Sequence, residues 1–143
     1  MTVARIIASK GRDVVTTQPH RTLGEVTAVL AQRNIGAVVV TDAAGHVLGI
    51  LSERDIVRAV GQRGAAALED AVTMHMTARV MTAHEAESVE DIVTRMTSGR
   101  FRHLPVVADG QLAGIVSIGD AVKYRLDEIE HEHSALRDYI ASA

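Results

Sequence analysis

The chain contains no cysteine. Disulfides, thiolate metal sites and cysteine nucleophiles are therefore excluded, and the redox compartment cannot be read from cysteine usage. Aromatic residues are almost absent: Phe101, Tyr124 and Tyr139 are the whole set. The stacking platforms that hold single-stranded nucleic acid are missing, and a core must be built from Val, Ile, Leu, Ala and Met. There is no excess of positive charge, since the net charge is −3 and the pI about 6.1. This argues against bulk affinity for nucleic acid. No segment approaches the roughly 18 apolar residues of a membrane span, and the start "MTVARIIASKGRD" lacks a signal-peptide apolar stretch. A cytoplasmic location with no membrane partner is the default expectation.

What is present is ordinary in amount and unusual in arrangement. With 143 residues, 47% apolar and 23% charged, the chain can bury one substantial core. Thirteen of its fifteen basic residues are arginine, a side chain suited to bidentate contact with carboxylate or phosphate.

The chain repeats itself. Residues 14–60 overlay residues 80–125, with one residue dropped before Gly110. Identities are few, but Thr22 meets Ser88, Glu25 meets Asp91, Gly49 meets Gly114, Ser52 meets Ser117 and Asp55 meets Asp120. Each copy reads as a short extended piece (residues 14–16 or 80–82), a capped amphipathic helix, a buried strand (37–41 or 104–107), a Gly-containing turn, and a second strand (47–51 or 112–116). A second helix then begins near Ser52 or Ser117. The expected fold is α/β (α+β), a β-α-β-β-α unit used twice. Boundaries follow at residues 1–60 for the first repeat with its lead-in, 61–71 for a connector, 72–126 for the second repeat with its lead-in, and 127–143 for a C-terminal helix. The lead-ins are Val3-x-x-x-Ile7 and Val72-x-x-x-Met76. Gly61 and Gly64 suggest a helix end and a turn. Leu126, Ile129, His133, Leu136 and Ile140 follow the 3-4-3-4 spacing of a short coiled-coil seam.

Ser-x-x-Asp at a helix start is by itself a capping box. The spacing also occurs as Thr22/Glu25 and Ser88/Asp91, which lack a preceding strand and are read as caps only. At Ser52/Asp55 and Ser117/Asp120 the pair follows Gly-Ile-aliphatic at a strand-to-helix joint. From spacing alone these two pairs also read as helix caps.

Together, Val72-x-x-x-Met76-Thr77, "RHLPVV" at 102–107 and the doubled Gly-Ile-aliphatic-Ser-x-x-Asp resemble the cystathionine-β-synthase (CBS) domain family, in its tandem form, the Bateman module. The resemblance implies two repeats packed about a pseudo-twofold axis, with clefts that take AMP, ADP, ATP or NAD(H), with or without magnesium, and sometimes S-adenosylmethionine. It implies a ligand sensor and not an enzyme, commonly a homodimer, signalling in trans to an effector protein that the sequence does not name. The ligand-binding residues it points to are Thr16, Ile35, Gly36, Ala37, Ser52, Arg54 and Asp55 from the first half. From the second half they are Thr82, Arg102, His103, Leu104, Pro105, Ser117 and Asp120. Lys10, in the longer first loop, joins them as a cation that can close over an anion. Arg54 has Gly119 as its counterpart, so the two clefts are expected to differ.

No catalytic set or metal site is assigned. There is no nucleophile elbow, P-loop or His-Glu-x-x-His, and the two histidines of "HEH" at 131–133 point to opposite faces of a helix. Two readings of other classes stay open beside the sensor. One is a ligand-independent scaffold. The other is a cryptic nucleotide-processing enzyme in which the carboxylates and His103 assist water attack.

Overall fold

Three consecutive valines, Val38, Val39 and Val40, lie at the centre of the first half, in a computed structural model that describes residues 2–142. Their stiff β-branched side chains favour a strand, and β2 (Ala37–Thr41) is buried along its whole length. It pairs antiparallel with β3 (Val47–Ser52) and parallel with the two-residue β1 (Thr16–Thr17). In the second half β4 (His103–Ala108) pairs antiparallel with β5 (Gln111–Ser117). The tight turn between them has positive φ at both Asp109 and Gly110, as a two-residue hairpin requires.

The counterpart of β1 is reduced to one parallel bridge, Ala83 with Val106, so residues 80–82 do not form the extended strand the repeat predicts. Proline explains the difference. In the first half the Val39 amide donates to the Val15 carbonyl at 3.3 Å. Pro105 occupies the equivalent place and has no N–H to give. Pairing begins one step later, where Ala83 donates to the Pro105 carbonyl at 2.9 Å.

Helices follow their caps. Thr22 accepts from the Glu25 amide and starts α2 (Leu23–Arg33); Ser88 accepts from the Asp91 amide and starts α4 (Val89–Gly99). A complete capping box starts α3 (Glu53–Arg63), which runs through Gly61 and stops at Gly64, φ +68°. The last helix, α5 (Ile118–Ser142), is 25 residues long. Short 3-10 turns at Gly64–Glu69 and Val72–Met74 form the connection between repeats. Asp70 fixes it, accepting from the Arg63 guanidinium at 2.8 and 3.0 Å and pairing with His75 at 2.8 Å.

Each lead-in leaves the repeat it precedes and completes the core of the other. The first lead-in is a helix, α1 (Val3–Lys10). Its Val3, Ile6 and Ile7 are buried with Ile92, Met96, Leu104 and Val116 of the second repeat. Val72 and Met76 pack with Leu23, Val38 and Leu51 of the first. Burying side chains of this size contributes about 2 kcal/mol each, so the exchange fastens the repeats together. It also accounts for two glycines. A methyl group at Gly114 would lie 2.5 Å from Ile7 Cδ1, and one at Gly49 would lie 2.7 Å from the Thr77 carbonyl oxygen.

Candidate functional site

The two Gly-Ile-aliphatic-Ser-x-x-Asp segments turn from β3 into α3 and from β5 into α5. At the first turn the Ser52 amide and hydroxyl donate to Asp55 Oδ2 at 2.9 and 3.1 Å, and the Asp55 amide donates back to Ser52 Oγ at 3.4 Å. These bonds fix the carboxylate through Oδ2 and leave Oδ1 without a hydrogen bond, 3.9 Å from the Arg58 guanidinium. At the second turn the Ser117 amide donates to Asp120 Oδ2 at 2.9 Å and the Asp120 amide to Ser117 Oγ at 3.0 Å. The cap is the same, but its surroundings are not. Lys10 Nζ, at the end of α1, donates to Asp120 Oδ2 at 2.6 Å and to the Ile115 carbonyl at 2.9 Å. Ile50 stands where Ile115 stands in the other repeat, and its carbonyl accepts the neutral backbone amide of Thr77 at 2.9 Å. Asp120 is thus held by a close, hydrogen-bonded ammonium, whereas the cation at Asp55 stands 3.9 Å away and makes no hydrogen bond to it.

Burial opposes ionisation of Asp120, but the hydrogen bonds from Lys10 and the Ser117 amide outweigh it and hold the carboxyl below its ordinary range. His103 lies at the junction of the two repeats. A methyl group on Gly36 would sit 3.5 Å from its imidazole ring. Burial pushes His103 below its usual value and the Lys10 charge pushes it further; the Asp120 and Glu53 carboxylates act against this.

A cleft of about 480 Å³ opens beside Asp55, walled by both repeats. Ile50, Val80, Met81 and Phe101 provide apolar surface. Arg54, Arg58, Arg79, Arg100 and Arg102 line the same space, against only Glu53 and Asp55. Among the described residues, Arg54, Arg79, Arg100 and Arg102 form no ion pair. Five guanidiniums against two carboxylates give the cleft an excess of positive charge, which suits an anion. An apolar wall, a carboxylate oxygen without a hydrogen bond and unpaired arginines can respectively cover a flat heterocycle, accept a sugar hydroxyl and neutralise phosphate.

Of the residues singled out from the sequence, Gly36, Ser52, Arg54, Asp55, Arg102 and His103 line this cleft. Ser117, Asp120 and Lys10 meet at the other turn. Thr16 lines a separate cavity of about 420 Å³ beside Val26, Val29 and Val38. The Thr82 carbonyl accepts the Arg95 guanidinium at 2.6 Å, outside the cleft, while its neighbours Val80 and Met81 form the wall. Ala37, Leu104 and Pro105 are buried strand residues, and Ile35 packs on the first core. Sequence reasoning missed Thr77, Arg79 and Arg100. Their signal is arginine density: four of the five cleft arginines lie in or within two residues of the GILSERD, Met76-Thr77 and RHLPVV segments.

A family model for the CBS domain matches residues 4–62 and 69–127. The chain belongs to the CBS domain family. This CBS-domain pair is similar to a crystallised CBS-domain containing protein of Agrobacterium tumefaciens, 49% identical, with a TM-score of 0.85 over 87% of this chain and 99% of that one. It is also similar to the CBS domain pair of protein MJ0100, crystallised with 5′-methylthioadenosine and S-adenosyl-L-methionine. That match is 26% identical, with a TM-score of 0.80 over 90% of this chain and 98% of the other. A CBS domain protein of Pyrobaculum aerophilum complexed with AMP is 28% identical, with a TM-score of 0.75 over 84% and 89% of the two chains. The fold of two repeats with a C-terminal helix is the one the sequence predicts. No helix among the described residues is long and apolar enough to cross a membrane.

Proposed function

We propose that this CBS pair is a cytoplasmic regulatory sensor that binds a phosphate-bearing adenine nucleotide in the Asp55 cleft and passes its occupancy to a partner protein. The observation that carries the reading is the contrast at the two turns: Asp55 keeps an oxygen without a hydrogen bond beside a cleft rich in unpaired arginine, while Asp120 is paired with Lys10. In this reading Asp55 accepts from the ribose, Ile50, Val80 and Met81 enclose the adenine, and Arg54, Arg79, Arg100 and Arg102 hold phosphate. The excess of guanidinium disfavours the sulfonium cation of S-adenosylmethionine and favours the AMP, ADP, ATP and NAD(H) class. These arginines supply counter-charge directly, so magnesium would only accompany a di- or triphosphate.

Because the cleft walls come from both repeats, a bound nucleotide favours one relative arrangement of them, and a population shift is the natural output. A homodimer is part of the proposal, supported by apolar side chains left exposed at equivalent places, Val57 on α3 and Val122 on α5. The test is calorimetry with AMP, ADP, ATP and NADH. Binding of at least one, without turnover, is the expected result. If none binds more tightly than about 1 mM, a free energy of about −4 kcal/mol, the reading is refuted.

A further inference from the structure

The family match ends at residue 127, but α5 continues for four more turns as a single helix. Six of its residues, Val122, Leu126, Ile129, His133, Leu136 and Ile140, recur at alternating spacings of four and three and so share one face. The five aliphatic members of this seam are between 39% and 65% exposed. Ordinary surface helices turn such a stripe inward; this one turns it to solvent. The helix does not need a partner in order to form, because its first turns are held by Ala121, Ile118 and Tyr124 against the second core.

We propose that this seam pairs with the same seam of a second copy as a parallel, in-register coiled coil. The flanking charges decide the partner and its direction. With Leu126 at position a, Arg125 and Glu132 fall at g, and Glu130 and Arg137 fall at e. In a parallel pair each g residue faces the e residue five places on in the other chain. Arg125 then meets Glu130 of the second copy, and Glu132 meets Arg137, on both sides of the seam. The antiparallel register that also buries all six positions sets Glu130 against Glu130 and Glu132 against Glu132. Arg125 now bonds Glu128 of its own helix at 3.0 Å, an exposed pair that is readily exchanged. His133, the one polar member of the seam, lies against its own copy only in the parallel arrangement. A polar residue at a single a position fixes register at some cost in stability. His131, two residues earlier, falls at f and faces away, so the "HEH" segment places one histidine in the seam and one outside it.

The proposal is independent of nucleotide binding. Since the chain has no cysteine, His133→Cys and His131→Cys each introduce a single thiol. Under mild oxidation the full-length His133→Cys chain is expected to form a disulfide-linked dimer about tenfold faster than His131→Cys, through the raised effective concentration of facing thiols. Adding Leu136→Lys at its exposed site should remove that advantage and weaken the dependence of the melting temperature on protein concentration that pairing gives the parent. Chains carrying Arg125→Glu with Arg137→Glu should dimerise weakly alone and recover when mixed with chains carrying Glu130→Arg with Glu132→Arg. Equal crosslinking rates at 131 and 133, or an advantage that survives Leu136→Lys, would overturn the proposal.

Discussion

Asparagine at position 55 and asparagine at position 120 are the same chemical change at equivalent turns, and the proposed reading requires them to behave differently. Asp55→Asn is isosteric. Its amide oxygen can still accept from the Ser52 amide, now 2.9 Å from Oδ2, so the helix cap survives. Oδ1 becomes an NH₂ group and can no longer accept a ribose hydroxyl. The structure leaves that one oxygen without a bonded partner, so the loss is one charge-assisted hydrogen bond, about 2 kcal/mol. The dissociation constant should rise roughly 30-fold, at 1.36 kcal/mol per decade. Asp120→Asn instead removes a pair whose side chains are 34% and 26% exposed, worth about 1 kcal/mol or less to stability. It should leave affinity within about twofold of the parent. Calorimetry of both variants at one pH and one salt concentration, with melting temperatures alongside, separates binding from folding. Equal losses of affinity, or a loss confined to Asp120→Asn, would refute the assignment of the operative cleft.

Lys10→Met should remove the hydrogen bond that holds Asp120 low, so the Asp120 carboxyl should titrate higher in an NMR pH series; an unchanged titration would mean that Lys10 is not what holds it down. Gly49→Ala sets a methyl 2.7 Å from the Thr77 carbonyl and 2.8 Å from Met76 Sδ, so urea denaturation should show a loss of about 1–3 kcal/mol. Gly61→Ala, inside α3 with nothing within 4 Å, should instead stabilise by up to about 1 kcal/mol. For His103 the folded-state value lies below that of the unfolded chain, through burial and then Lys10. The unfolded chain therefore binds more protons just below pH about 6.5, and this contribution to stability is lost as pH falls through the folded value. A phosphate bound beside the ring would act against these effects and favour its protonated form. Nucleotide affinity should rise as pH falls toward 6 by more in the parent than in His103→Gln, and parallel pH profiles of the two would exclude the ring from the site.

Local patterns were legible because local physics sets them. The valine run at 38–40, the Gly-containing turn of "ADG" and the four Ser/Thr-x-x-acid caps each depend on neighbours within a few residues, and each stands where the spacing put it. The doubled Ser-x-x-Asp was legible as a pair of turns for the same reason. The wall of the cleft was not. Thr77 and Arg79 reach it only because the second lead-in crosses to the first repeat, and the apolar spacing of Val72 and Met76 records that they are buried without recording against what. Pro105 was visible throughout. Its consequence for residues 80–82 appears only when Val39 is seen donating to Val15 across the sheet.

The asymmetry between the turns has the same origin. Both lead-ins cross, and both are admitted by a glycine, Gly49 or Gly114, that leaves room for a side chain from the other half. They differ in length and form. The second is a single 3-10 turn that reaches Ile50 with the backbone of Thr77, and its Arg79 lines the cleft without pairing with Asp55. The first is an eight-residue helix, and its last residue is a lysine placed to meet Ile115 and Asp120 together. A backbone amide and an ammonium satisfy equivalent carbonyls, but only the ammonium also reaches the carboxylate three residues beyond the strand end. The helix that ends in Lys10 is therefore what places an ammonium on one turn and not on the other, and two copies of the same Ser-x-x-Asp turn acquire different chemistry from segments that lie outside both.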